Sequence, residues 1–135
     1  MKIAIVVSDF NKEITSRMEK AAVKAAKSLG AEVAKKIHVP GSFEIPFAVK
    51  NILEKEKIDA IAALGAVIRG ETHHDVIIVG TIAKKLVDIS LKYKKPIGFG
   101  IIGPRVTWKQ AESRAEEYAK RAVKAALEMA RITKK

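Results

Sequence analysis

The stretch LGAVIRGETHHDVI, residues 64–77, sets an arginine, a glycine, an acid, a threonine and two adjacent histidines between two apolar runs. Those residue types suit a metal site, an acid–base group beside a bound anion, or a polar helix start with no chemistry. Geometry weighs against metal. Neighbouring residues on a helix point about 100° apart, so His73 and His74 do not face one ion together. His38 is the only other histidine and cysteine is absent, so no metal is expected. Thr72 has the chemistry of an N-cap, and Asp75 three residues on is placed to close a capping box. A helix starting there turns the backbone N–H groups of Gly70, Glu71 and Thr72 toward an anion such as phosphate. The spacing matches neither the nucleotide P-loop nor the dinucleotide fingerprint. A histidine in the same turn would lie beside that anion as a base. The residues alone leave open whether the pair does this work or is exposed and inert.

Phe10, in SDFN, and Phe43, in PGSFEIP, are either core aromatics or platforms for a flat heterocycle. Arg114 reads by default as a solvated helix residue. What brings such residues together is the order of elements. Ile3–Val7 and Ala60–Val67 are continuous apolar runs, as expected of strands buried on both faces. Residues 31–38 read as a more polar edge strand, and PIGFGIIG from Pro96 as a fourth strand ended by Gly103-Pro104. Helical periodicity fills the gaps over 12–29, 47–55, the segment after Thr72, and 107–132. In the last helix the expected packing stripe is Ala111, Ala115, Tyr118, Ala122, Ala125, Met129 and Ile132.

Strands alternating with helices predict one domain over residues 1–135, a three-layer α/β/α fold around a four-stranded parallel sheet. Ligands in such sheets bind outside the carboxyl ends of the strands. Those ends release Asp9-Phe10-Asn11, Ser42-Phe43-Glu44, the 69–74 segment and Gly103-Pro104-Arg105, so the chemistry-bearing residues gather at one edge.

The net charge is +11, with 26 Lys and Arg against 15 Asp and Glu. The lysines alternate with acids along amphipathic segments, which describes solvated helix faces and suits a thermophilic source. Aromatics are only 5% of the chain and do not interleave with the basic residues, so no nucleic-acid partner is expected. No apolar run is long enough for a membrane span. MKIAIVVSDF reads as a buried strand rather than a leader, which makes a cytoplasmic protein the expectation.

GAVIRGETHHD, with PGSFEIP upstream and SDFN after the first strand, resembles the lumazine synthase (6,7-dimethyl-8-ribityllumazine synthase) family from Ile3 to about Met129. The resemblance implies a flavodoxin-like fold and the penultimate step of riboflavin biosynthesis. That step condenses 5-amino-6-(D-ribitylamino)uracil with 3,4-dihydroxy-2-butanone 4-phosphate, releasing phosphate and water, with no cofactor. It also implies a homo-oligomer, a pentamer or a sixty-subunit shell, with each site between two subunits.

By position, the resemblance puts Phe10 on the pyrimidine with Asn11 nearby, and Ser42, Phe43 and Glu44 at the ribityl chain. Ala66, Val67 and Ile68 would touch the pyrimidine through their backbone. Gly70, Glu71 and Thr72 would line the phosphate site, and the family's histidine falls on His74 rather than His73. Phe99 and Arg114 would come from the neighbouring subunit, the arginine gripping phosphate. Two departures stand out. Where many members carry a basic glycine-rich segment, this chain reads AEEYAKRAVK, so Lys120 and Arg121 compete for the usual lysine's place. The family's extension ahead of the first strand is missing before Ile3, which leaves the assembly size open. Two other readings are a riboflavin synthase of the archaeal type, whose substrate carries no phosphate, and a non-catalytic flavodoxin-like module.

Overall fold

The computed structural model describes residues 1–134; Lys135 of the basic tail lies outside them. The two apolar runs become the centre of the sheet because only central strands are covered on both faces. β1 (Lys2–Ser8) and β3 (Ala60–Ile68) pair in parallel there, with β2 (Glu32–Val39) and β4 (Ile97–Val106) at the edges. The strand order is β2-β1-β3-β4, the flavodoxin-like arrangement whose switch point lies between β1 and β3.

Side chains divide by strand alternation. Ile3, Ile5 and Val7, with Ala62 and Leu64, pack under α1 (Lys12–Ser28) and α4 (Trp108–Thr133). Ala4, Val6, Ile61 and Ala63 pack under α2 (Ile45–Lys55) and α3 (His74–Tyr93). The expected three layers are present. β4 lets α4 approach closely, since a Cβ at Gly98 would collide with the backbone carbonyl of Ala122.

Four local expectations need correction. α2 begins at Ile45, with Pro46 in its first turn, where proline's missing N–H costs nothing. β4 continues past Gly103-Pro104, a cis peptide, to Val106. α3 starts at His74 with His73 at the N-cap position and no side-chain cap, so Thr72 and Asp75 form no capping box. In α4, Ala111, Ala115 and Ala122 are buried, but Ala119, Ala126 and Ala130 complete that face. Tyr118 is half-buried and packs against the core edge, whereas Ala125, Met129 and Ile132 are exposed. Steps of seven residues lag a 3.6-residue helix by about 20° each, and over three of them the expected stripe slides off the core.

Candidate active site

The loops leaving β1, β2 and β3 are tied to one another before any ligand is considered. Asp9 and Phe10 donate backbone N–H bonds to the carbonyls of Val39 (2.7 Å) and Pro40 (3.1 Å), holding the exits of β1 and β2 together. Asn11 follows in the left-handed region at φ 62°, a conformation asparagine tolerates better than most residues. Its Nδ2 donates to the carbonyl of Ala66 at 2.8 Å, which pins the same loop to the end of β3. Ser42 is buried against Gly65, where an added Cβ would overlap Ser42 Oγ. The glycine in β3 thus makes room for the start of the Ser42–Glu44 turn.

These ties enclose a cavity of about 380 Å³ at the switch point. Ala66, Val67 and Ile68 form its floor, and Phe10, Asn11, Ser42 and Phe43 line it from the β1 and β2 loops. Gly70, Thr72 and His74 line the remaining side; His73 does not. Phe10 is 68% exposed and Phe43 58%, so neither is a core aromatic. Two exposed rings over an apolar strand end are a surface that a flat ligand would cover.

The anion seat differs in detail from the sequence expectation. Among the described residues, the N–H groups of Gly70, Glu71 and Thr72 donate to no backbone carbonyl. They lie in the bend before α3 rather than within its first turn. The uncapped start of α3 still points its dipole's positive end at this bend. A Cβ at Gly70 would meet nothing within 4 Å, so packing does not demand glycine there.

Four expected residues do not line this cavity in a single chain: Glu44, Glu71, Phe99 and Arg114. Glu44 and Glu71 stand exposed on the loops beside it. Phe99, on edge strand β4, lines a separate cavity of about 410 Å³ with Tyr118 and Arg121. Arg114 is exposed one helical turn before Tyr118 on the same side of α4. Lys120 lies elsewhere, in a groove between α1 and α4 beside Arg17 and Glu116.

Sequence reasoning missed three lining residues, Gly41, Asp75 and Ile78. Ile78 follows His74 by four residues, a helical signal that was available. It also missed the ion pairs of His38 near the end of β2, whose Nδ1 meets Asp9 Oδ1 at 2.8 Å and whose Nε2 meets Glu19 Oε2 at 3.1 Å. The hydrogen bond to Asp9, then that to Glu19, raises the imidazole above its ordinary pKa. Among the described residues no group of three His, Cys, Asp or Glu side chains is arranged to hold a metal ion. No helix among them is long and apolar enough to cross a membrane.

Sheet order, exposed aromatics and free N–H groups define a flavodoxin-like α/β protein with a small-molecule site at the carboxyl end of its sheet. Its sequence matches a family model described as 6,7-dimethyl-8-ribityllumazine synthase over residues 1–134. Proteins of that name match it nearly end to end. One from Saccharolobus islandicus is 49% identical over 135 residues, covering 100% of this chain and 88% of its own. One from Metallosphaera sedula is 50% identical over 131 residues, covering 97% and 87%. One from Methanococcus maripaludis is 46% identical over 134 residues, covering 99% and 97%. The chain belongs to the 6,7-dimethyl-8-ribityllumazine synthase family.

Proposed function

We propose that this chain is a cytoplasmic enzyme that condenses 5-amino-6-(D-ribitylamino)uracil with 3,4-dihydroxy-2-butanone 4-phosphate to give 6,7-dimethyl-8-ribityllumazine. The observation that carries the reading is one cavity joining exposed Phe10 and Phe43 to His74 and the free N–H groups by Gly70 and Thr72. The pyrimidine stacks on Phe10 over the Ala66–Ile68 backbone, with its ribityl chain toward Ser42, Phe43 and Glu44. The phosphate sits at Gly70, Glu71 and Thr72. The pyrimidine's amino group attacks the ketone and an imine forms as water leaves. His74 then moves protons as phosphate departs, and the ribitylamino nitrogen closes the ring on the remaining carbonyl as a second water leaves. Much of the acceleration comes from holding two reactants together in one shaped pocket.

The site is completed by a second copy of the chain. Edge strand β2 carries Lys35, Lys36 and His38, which discourage further pairing. Edge strand β4 instead exposes Phe99 (40%), and Met129 (47%) and Ile132 (61%) stand out from α4. Covering that face with the neighbour's cavity brings Phe99 and Arg114 to the bound substrates. Different patches then meet, a heterologous contact that closes into a ring, here a pentamer alone or within a larger shell. Arg121 fills the family's second basic position rather than Lys120, because it shares the face of Phe99 and Tyr118.

The test supplies both substrates to the purified chain and follows lumazine fluorescence. Lumazine formation is expected. Riboflavin from lumazine alone, with no product from the two precursors, would point instead to the riboflavin synthase reaction.

A further inference from the structure

The carboxylate beside His74 is a buried charged group that the proposed chemistry does not use. Asp75 is 4% exposed. Its Oδ2 accepts the backbone N–H of Arg105 at 2.7 Å, and its Oδ1 accepts from Arg105 Nη1 at 3.1 Å. Arg105 lies in the left-handed region at φ 58°, uncommon for a residue with a long side chain. In that conformation its main chain and its guanidinium both reach one carboxylate.

The strand end bearing Arg105 is held hard against the cavity floor. A Cβ at Gly103 would stand 2.7 Å from the carbonyl of Val67, and the β3–β4 register shifts between Ala66 and Ile68. Asp75 therefore fastens the first turn of α3 to the strand that backs Val67. The helix start has no side-chain cap, so this clamp adds to the packing of Val79, buried one turn on near Gly103. Burial alone would raise the Asp75 carboxyl, but the N–H and charge of Arg105 prevail and its pKa is lowered. With both oxygens engaged, it is poorly suited to deliver a proton itself.

We propose that Asp75 is a positioning residue for His74, its clamp on Arg105 fixing the rotation of the first turn of α3 so that His74 faces the cavity. The proposal rests on the reading of His74 as the acid–base group. A misplacement of about 1 Å in such a group costs up to about 100-fold in rate. Phe10 and Phe43 sit on other loops and the Ala66–Ile68 floor is held by its pairing with β4, so the clamp bears more on turnover than on pyrimidine binding. The two arms are also separable: Arg105→Ala removes the guanidinium but keeps the backbone donor, whereas Asp75→Ala removes both.

The test measures kcat and the pyrimidine KM for Asp75→Ala, Arg105→Ala and His74→Ala, with circular dichroism to check folding. Asp75→Ala should lower kcat about 10- to 100-fold with KM nearly unchanged, and Arg105→Ala should lower it less. In the His74→Ala background, Asp75→Ala should lower kcat no further, because its effect passes through His74. An Asp75→Ala loss of equal size with and without His74 would overturn the proposal, as would an unchanged kcat. Should Asp75→Ala fail to fold, Arg105→Ala carries the same comparison. If His74→Ala itself turns over normally, the reading of His74 fails and the proposal goes with it. If the wild type makes no lumazine, the proposed function has failed as well.

Discussion

Replacing Gly65 with alanine puts a methyl group where Ser42 already sits. The new Cβ would overlap Ser42 Oγ and stand 3.3 Å from Ser42 Cβ and 3.6 Å from Ile45 Cδ1. Neither neighbour yields freely, since Ser42 is buried and Ile45 is fully buried in the core. Forcing one methyl into such a site costs about 1–3 kcal/mol. Relief requires Ser42 to swing away, and the Ser42–Glu44 turn that carries Phe43 moves with it. Stability in a urea titration should therefore fall by about 1–3 kcal/mol, and the pyrimidine KM should rise. Ser42→Ala removes the overlapping oxygen and leaves the tight but tolerable 3.3 Å contact. The double variant should then recover about 1 kcal/mol of what the single changes lose separately. Free energies that add to within about 0.5 kcal/mol would refute the argument that Gly65 exists to seat Ser42.

His74→Ala should slow turnover about 100-fold or more while His73→Ala does far less; equal rates in the two variants would remove the role given to His74. Arg114→Ala should raise the KM for the butanone phosphate, and Lys120→Ala should leave it within about twofold, since loss of one charge-assisted contact to a phosphate costs about 1.5–3 kcal/mol. Gly70→Ala should leave thermal stability unchanged, because its Cβ would meet nothing within 4 Å, yet weaken phosphate binding; a large drop in melting temperature would contradict this. His38 stabilises the fold with a pKa raised above its ordinary 6.5 by Asp9 and Glu19. Its contribution is whole below about pH 6.5 and is lost as pH rises through the raised folded value. The stability gap between wild type and His38→Gln should then shrink from pH 5 to pH 9, and should be about 1 kcal/mol at most because the group is half exposed. A gap independent of pH would show that the charge is not involved.

The layer order was legible in the chain because buried strands and amphipathic helices leave different periods. Ile3–Val7 and Ala60–Val67 could hardly be anything but central strands. The gathering of Phe10, Ser42, Phe43 and His74 followed from that order alone, since every parallel strand releases its loop on the same edge. Asp75 was not legible. Its spacing from Thr72 mimics a capping box, and only the path of β4 beyond Gly103-Pro104 brings Arg105 to it. Lys120 and Arg121 could not be separated from a gapped pattern, whereas a helix of known rotation puts them on different faces. Phe99 and Arg114 are a different case. They lie away from the cavity of their own chain, so local pattern gives them no role without the family resemblance.

The central claim is that each active site is shared between two copies of the chain. It is tested by co-refolding His74→Ala with Arg114→Ala, each expected to be nearly inactive alone, and following lumazine formation. In randomly mixed rings about a quarter of the interfaces pair an intact His74 with an intact Arg114. Activity should return toward that fraction of the wild-type rate. A mixture no more active than its two components, with mixed assemblies demonstrated by mass spectrometry, would contradict a shared site.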